Sequence, residues 1–277
     1  MNRRKIFVII LLSVLVFIFY GCTDKKSESP IVDDRIVAHA MGQVDENART
    51  NSLEAFKNSY EKGTRVFEVD FFNTADHRIV AVHDWEEWFG WIGEDIDDYS
   101  YRAYSHTDYM NTKIAHKYTP LDLESIAQLM IDYPDIYIIT DTKRMSEKLY
   151  RDDISRIFIA LEMKQEGLSD RLIVQAYNEN NIIIAQELLP DTNIIFTAYM
   201  SGLSDEKIAE LCSAYPHLYA ITVEKSKITD TIIQAAQDAG LKVYVHTVNS
   251  DENYSAYFSK GVYGVYTDDL TVADIDN

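Results

Sequence analysis

Eight short runs rich in Ile, Val, Tyr and Phe recur along the chain, at 35–39, 65–70, 136–142, 171–176, 193–198, 218–223, 241–246 and 262–267. They lack the in/out alternation of a half-solvated strand, so they read as parallel strands buried on both faces. Amphipathic segments lie between them. Ser52–Lys62 places Leu53, Phe56 and Tyr60 on one face, opens on Asn51-x-x-Glu54 like a capping box, and stops at Gly63. Leu121–Tyr133 follows Pro120, and Ser226–Ala239 ends at Gly240. Eight strands separated by helices predict an α/β fold, the (β/α)8 TIM barrel.

Ile79–His83 is strand-like but does not fit that series. Only residues 71–78 separate it from Asp70, whereas a parallel crossover needs about a dozen or more. Residues 71–84 therefore read as a hairpin turning at Thr74-Ala75-Asp76-His77, which sets Glu68 opposite His83. The stretch 85–118 is the longest expected irregular segment. It holds all three tryptophans, Trp85, Trp88 and Trp91, together with Phe89 and several tyrosines. So many aromatics argue for a packed lid or a substrate-contacting loop and against disorder. Trp85 is its candidate substrate contact.

Arg3, Arg4 and Lys5 precede an apolar stretch from Ile6 to Tyr20, followed by Gly21-Cys22. A run this short suits a signal peptide better than a membrane span. Cys22 directly after Gly21 resembles a bacterial lipoprotein cleavage box. The expected organisation is a signal peptide over 1–21, a tether over 22–34 starting at a lipidated Cys22, and a single barrel domain over 35–277. The protein would then be lipid-anchored at the cell membrane on its extracytoplasmic face. Cys212 has no partner once Cys22 is lipidated, and its apolar setting marks it as a core thiol.

The formal net charge is −19, and removal of the three basic residues of the leader makes it more negative by three. A surface this acidic argues against nucleic acid as a partner. It does not exclude an anionic substrate, because a bound divalent cation dominates its own surroundings.

Several apolar runs finish on groups that burial alone does not explain: His39, the pair Glu68 and Asp70, and His83-Asp84. Glu68 and Asp70 are two apart on a strand and share a face, where two buried carboxylates repel unless a cation lies between them. Asp141, in Ile138-Ile-Thr-Asp141-Thr-Lys143, supplies a third oxygen ligand. An all-carboxylate set suits one divalent cation, Ca2+ or Mg2+, and not zinc. His39 and His83 beside that cluster form a candidate acid–base pair. Lys143 shares a face with Asp141 and is a candidate for holding a phosphate oxygen, the alternative being a salt bridge to Asp141.

His39-Ala-Met-Gly42, Thr50-Asn-Ser-Leu-Glu-Ala-Phe56, Gly63, Glu68-Val-Asp70 and Val80-Ala-Val-His83-Asp84 resemble the opening of the glycerophosphodiester phosphodiesterase family. Thr119-Pro-Leu121, Asp141-Thr-Lys143, Val243-Tyr-Val-His-Thr-Val-Asn249 and Gly261-Val-Tyr-Gly-Val-Tyr-Thr-Asp268 resemble its later motifs. The resemblance spans 35 to about 270, and the superfamily also includes the phosphatidylinositol-specific phospholipases C. It implies a barrel whose His39 and His83 act as acid and base, with a divalent cation held by Glu68, Asp70 and Asp141. The chain departs from the family pattern in several places: Ala40 stands in place of an arginine, Thr50 and Asp141 in place of glutamates, His77 in place of the hairpin glycine, and His246 in place of a tryptophan. The catalytic core residues survive, with an acid one methylene shorter kept at Asp141, while the substrate-facing ones change. His246 is therefore a candidate substrate-binding residue.

The reading that follows is a metal-dependent phosphodiesterase acting on a small phosphodiester or a lipid head group, glycerophosphodiester-like or a wall-polymer diester. Two alternatives share the barrel: a phospholipase-C-like enzyme on intact lipids, and a non-catalytic binding lipoprotein.

Overall fold

The apolar runs become nine strands: β1 (Ile36–Ala38), β2 (Val66–Asn73), β3 (Ile79–Ala81), β4 (Tyr137–Asp141), β5 (Leu172–Ala176), β6 (Asn193–Thr197), β7 (Ala220–Glu224), β8 (Lys242–His246) and β9 (Gly264–Thr267). All except β3 pair in parallel and close on themselves in the order β1–β2–β4–β5–β6–β7–β8–β9–β1. The structure, a computed structural model, describes residues 34–94, 104–198 and 202–275. Its closed parallel barrel with flanking helices is the expected (β/α)8 fold.

Inside the barrel, Val37, Val66, Ile139, Ile173, Ile195, Ala220, Tyr244 and Tyr266 pack together, one from each barrel strand. The floor is polar but internally satisfied. Asp34 accepts from Lys242 Nζ at 2.5 Å and from the hydroxyls of Tyr219, Tyr244 and Tyr263, and the ammonium also lies 4.4 and 4.3 Å from the ring centres of Tyr219 and Tyr263. At the β9–β1 seam, Gly264 has no room for a side chain. A Cβ there would sit 2.4 Å from the Arg35 carbonyl and 2.8 Å from the Tyr244 ring.

The first outer helix, α1 (Leu53–Glu61), buries Ala55 and Phe56, the latter 4.8 Å from the Phe67 ring of β2. Its cap is Ser52, whose side chain accepts from Ala55 N, and not Asn51. Cys212 is buried as expected, and burial lifts its thiol to about 11.

Two other expectations change. The hairpin exists, but its paired residues are Phe71 with Ala81, Phe72 with Val80 and Asn73 with Ile79. The turn is therefore the three residues Ala75–His77, with His77 in the left-handed region at φ 58°, closed by Thr74 N on Arg78 O at 2.8 Å. A three-residue loop of this kind moves the register by one, so Val82, not Ala81, stands across from Asp70 and donates to its carbonyl at 2.9 Å. The expected pairing of Glu68 with His83 is lost. The segment 85–118 is also more regular than expected. It contains α2 (Trp85–Trp91), capped by Asp84 on Glu87 N, and α3 (His106–Asn111), capped by Ser105 on Asp108 N. Residues 95–103 of that segment lie outside the described residues. Trp85, Trp88, Phe89, Tyr109 and Tyr118 pack into one buried cluster with Val80 and Val82. Tyr109 anchors it by donating to Ala81 O at 2.7 Å.

Candidate active site

Two residues beyond each member of the barrel's apolar layer, the inward row becomes polar: His39, Glu68, Asp141, Gln175, Thr197, Thr222, His246 and Asp268. Side chains two apart along a strand share a face, so the row that fills the barrel ends in a polar ring at the C-terminal rim, where barrel active sites lie. Asp70 is two further along β2. Six of these residues (His39, Glu68, Asp141, Gln175, Thr222 and His246), with Tyr266, line a cavity of about 30 Å³. That volume holds only a few water-sized groups, so a larger substrate must sit across its mouth.

Glu68, Asp70 and Asp141 each bring a carboxylate oxygen into one cluster, all within 4.8 Å of one another. Burial, then the charge of Asp70, pushes Glu68 well above its usual range, although Ala40 N donates to its Oε2 at 2.6 Å. Burial and Asp70 likewise raise Asp141 against the pull of Lys143. Burial would raise Asp70 too, but Lys143, His83, His39 and Asn51 overcome it and hold this carboxyl at about 2. Glu68 Oε1 is buried with no hydrogen-bond partner, an expensive state for a charged oxygen. A closely spaced set of hard oxygen donors with one oxygen unsatisfied fits a divalent cation such as Ca2+ or Mg2+.

Each of the two histidines is paired with a carboxylate. His39 Nδ1 donates to Asp268 Oδ1 at 2.7 Å, and Asp268 is fixed in turn by Asn249. Burial opposes the charged form of His39, yet the bond to Asp268 and the charges of Glu68, Asp268 and Asp70 raise it to about 9. His83 Nδ1 donates to Asp84 Oδ2 at 2.6 Å, while Asp84 Oδ1 caps α2, and Glu87 Oε2 lies 3.5 Å from the same nitrogen. With Nδ1 engaged in both rings, Nε2 is the atom each can offer to a substrate.

Comparison with known proteins decides the family. The glycerophosphoryl diester phosphodiesterase family matches residues 44–272. The chain belongs to that family. This phosphodiesterase is accordingly a phosphoric diester hydrolase. It is similar to an uncharacterised Bacillus subtilis protein, YqiK, at 23% identity over 84% of this chain and 94% of that one. A glycerophosphodiester phosphodiesterase of Caldanaerobacter subterraneus is 22% identical over 84% of this chain and 93% of its own. Among solved structures, a Parabacteroides distasonis glycerophosphodiester phosphodiesterase matches with TM-score 0.65 and 18% identity, covering 84% of this chain and 92% of its own. An Oleispira antarctica phosphodiesterase in complex with the product sn-glycerol-3-phosphate matches with TM-score 0.68 and 17% identity, covering 88% and 97%. These structures share its barrel fold.

In this phosphodiesterase Lys143 does meet the acids. Its Nζ is 2.5 Å from Asp70 Oδ1 and 3.8 Å from Asp141 Oδ2. His246 lines the cavity as expected, and burial, then the charge of His39, lowers it to about 4. It therefore offers hydrogen bonding at neutral pH, not charge. Trp85 is in the aromatic cluster beside Phe72, Tyr104 and Tyr109 and does not line the cavity. Cys22 lies outside the described residues.

Sequence reasoning missed four contributors. Asn51, read as a cap, bonds Asp70 through both ends of its amide: Nδ2 to Oδ2 at 2.9 Å, and Oδ1 from Asp70 N at 3.1 Å. Tyr177 donates to Asp141 Oδ1 at 2.6 Å and accepts from the backbone of Thr142 and Lys143. Gln175 lines the cavity, and Asp268 orients His39. Gln175 and Asp268 could have been found by extending the inward row two residues past each apolar strand position.

Proposed function

We propose that the protein is a metal-dependent glycerophosphodiester phosphodiesterase with His39 and His83 as its acid–base pair. The observation that carries this reading is the placement of two carboxylate-supported histidines around a buried three-carboxylate cluster that contains an unsatisfied oxygen. Glu68, Asp70 and Asp141 would hold the cation, Ca2+ or Mg2+, which when bound would polarise a phosphoryl oxygen and ease deprotonation of the attacking hydroxyl. One imidazole accepts a proton from the nucleophile at Nε2, and the other delivers one to the leaving oxygen. Asp268 and Asp84 keep each ring oriented, and Asp268 also favours the protonated form of His39. Tyr177 and Asn51 hold Asp141 and Asp70 in place, which limits reorganisation when charge develops.

The substrate class is a small water-soluble phosphodiester. The Oleispira neighbour's product, sn-glycerol-3-phosphate, supports a glycerol phosphate moiety, and His246 in the cavity wall supports an alcohol able to hydrogen-bond. Burial of Trp85, Trp88 and Phe89 favours this reading over a phospholipase-C-like enzyme that presents its tryptophans to a bilayer. The intact histidine–carboxylate pairs favour it over a non-catalytic binding protein. Lipid anchoring through Cys22 is part of the same proposal. Release of glycerol 3-phosphate from a glycerophosphodiester, abolished by chelation and restored by a divalent cation, tests the reading.

A further inference from the structure

The rim of the site carries a strong surplus of negative charge. Glu68, Asp70, Asp141, Asp84, Glu87 and Asp268 surround the two histidines, and the Lys143 ammonium is held by Asp70. A divalent cation at Glu68, Asp70 and Asp141 would offset the inner part of this charge. Asp84, Glu87 and Asp268 lie outside that cluster, and a phosphodiester anion passing them gains from a cationic side chain placed beside them.

Arg49 is so placed. Its guanidinium Nη2 lies 3.1 Å from Glu87 Oε1, on the carboxylate whose other oxygen faces His83. Its charge also acts on Asp268, the partner of His39. The guanidinium thus contacts a carboxylate that itself faces His83 and acts at longer range on the partner of His39, with its own side chain half exposed. The backbone that presents it is anchored to the site: Asn51 N donates to Ala40 O at 3.2 Å, and the Asn51 amide grips Asp70. Arg49 itself is in the left-handed region at φ 61°, as are Ala40, Met41, Asp45, Glu46 and Asn51. Such a concentration of non-glycine residues in a disfavoured conformation is a mark of functional loops.

We propose that Arg49 is a substrate-binding residue that captures the phosphodiester, exchanging its contact with Glu87 for hydrogen bonds to a non-bridging phosphoryl oxygen. The inference rests on the phosphodiesterase reading above. The exchange is inexpensive on the arginine side, which is half exposed, and Glu87, the more buried partner, keeps its position beside His83 Nδ1. The exchange is favoured because the planar guanidinium carries five donors in a fork that matches phosphate. Arg49 thereby adds a fork of donors to a site whose own buried cation, Lys143, is held by Asp70.

The test compares Arg49→Gln, Arg49→Lys and Glu87→Gln in the full chain, with sn-glycerol 3-phosphate as the inhibitor probe. Arg49→Gln should raise KM for a glycerophosphodiester and the inhibition constant of sn-glycerol 3-phosphate by about 10- to 100-fold. Its kcat should change far less, and its thermal midpoint should stay near the parent value. Arg49→Lys should recover part of the binding. Glu87→Gln, which removes the competitor for the guanidinium, should keep or lower KM. If the parent hydrolyses the diester but Arg49→Gln leaves KM and inhibition unchanged, the inference is overturned and the phosphodiesterase reading stands. If the parent hydrolyses no glycerophosphodiester, both are overturned.

Discussion

Glu68 and Asp70 are neighbours on one face of β2, yet the protein pushes them in opposite directions. Asp70, held at about 2 by Lys143 and its other partners despite burial, ionises below the ordinary 3.8. Its contribution to stability is present above about pH 4 and is lost as pH falls toward 2. Glu68 is raised above 4.5 chiefly by burial, then by Asp70. Folding therefore favours its protonated form, and stability declines as pH rises past 4.5. Denaturant unfolding of the chelator-treated protein at pH 7 should show Glu68→Gln to be more stable than the parent and Asp70→Asn less stable, because the second leaves Lys143 without its closest anion. Shifts of the same sign in both would contradict this electrostatic account. Glu68, Asp70, Asp141, His39 and His83 were legible in the sequence because charged groups stand at the ends of apolar runs, where burial offers them no reason to be. Asn51 and Tyr177 were not. An asparagine before a helix fits a cap equally well, and a tyrosine after a strand fits the core. Only the through-space distances to Asp70 and Asp141 separate the roles.

At the scale of elements, the eight barrel strands were readable because parallel strands buried on both faces leave continuous apolar runs. The hairpin of β2 and β3 was readable from the shortness of its connection, but its register was not. A turn of three residues and one of four differ by one step, and His77 gives no glycine signal for the left-handed position it occupies. The helices α2 and α3 were hidden because, at seven and six residues, they are too short to show a helical period, although their caps, Asp84 and Ser105, are ordinary start signals. Closure of the barrel carries its own prediction. Gly264→Ala places a methyl against the Arg35 carbonyl and the Tyr244 ring at the β9–β1 seam, and overpacking of this kind costs about 1–3 kcal/mol. Thermal unfolding should show a midpoint lowered by about 2–10 °C, with the metal-binding stoichiometry retained. An unchanged midpoint would mean that the seam opens freely.

For the whole molecule, the acidic charge, the barrel and the leader-like N-terminus bear on where and on what the enzyme works. Among the described residues no helix is long and apolar enough to cross a membrane, and the apolar stretch Ile6–Tyr20 lies outside them. The anchoring proposal therefore rests on Cys22. Cys22→Ser should abolish incorporation of labelled fatty acid in a bacterial host and shift the protein from the membrane fraction, and continued labelling would contradict it. The central claim concerns chemistry, and one measurement reaches it most directly: steady-state hydrolysis of a glycerophosphodiester by the full chain, after chelation and after Mg2+ or Ca2+ is returned, in the parent, His39→Ala, His83→Ala and, as a control, His77→Ala. The account predicts that chelation removes activity and that the cation restores it. It also predicts a kcat lower by about 10²–10⁴ in each site variant and near-parental in His77→Ala. Hydrolysis that survives chelation, or losses in His77→Ala as large as those in the site variants, would contradict it.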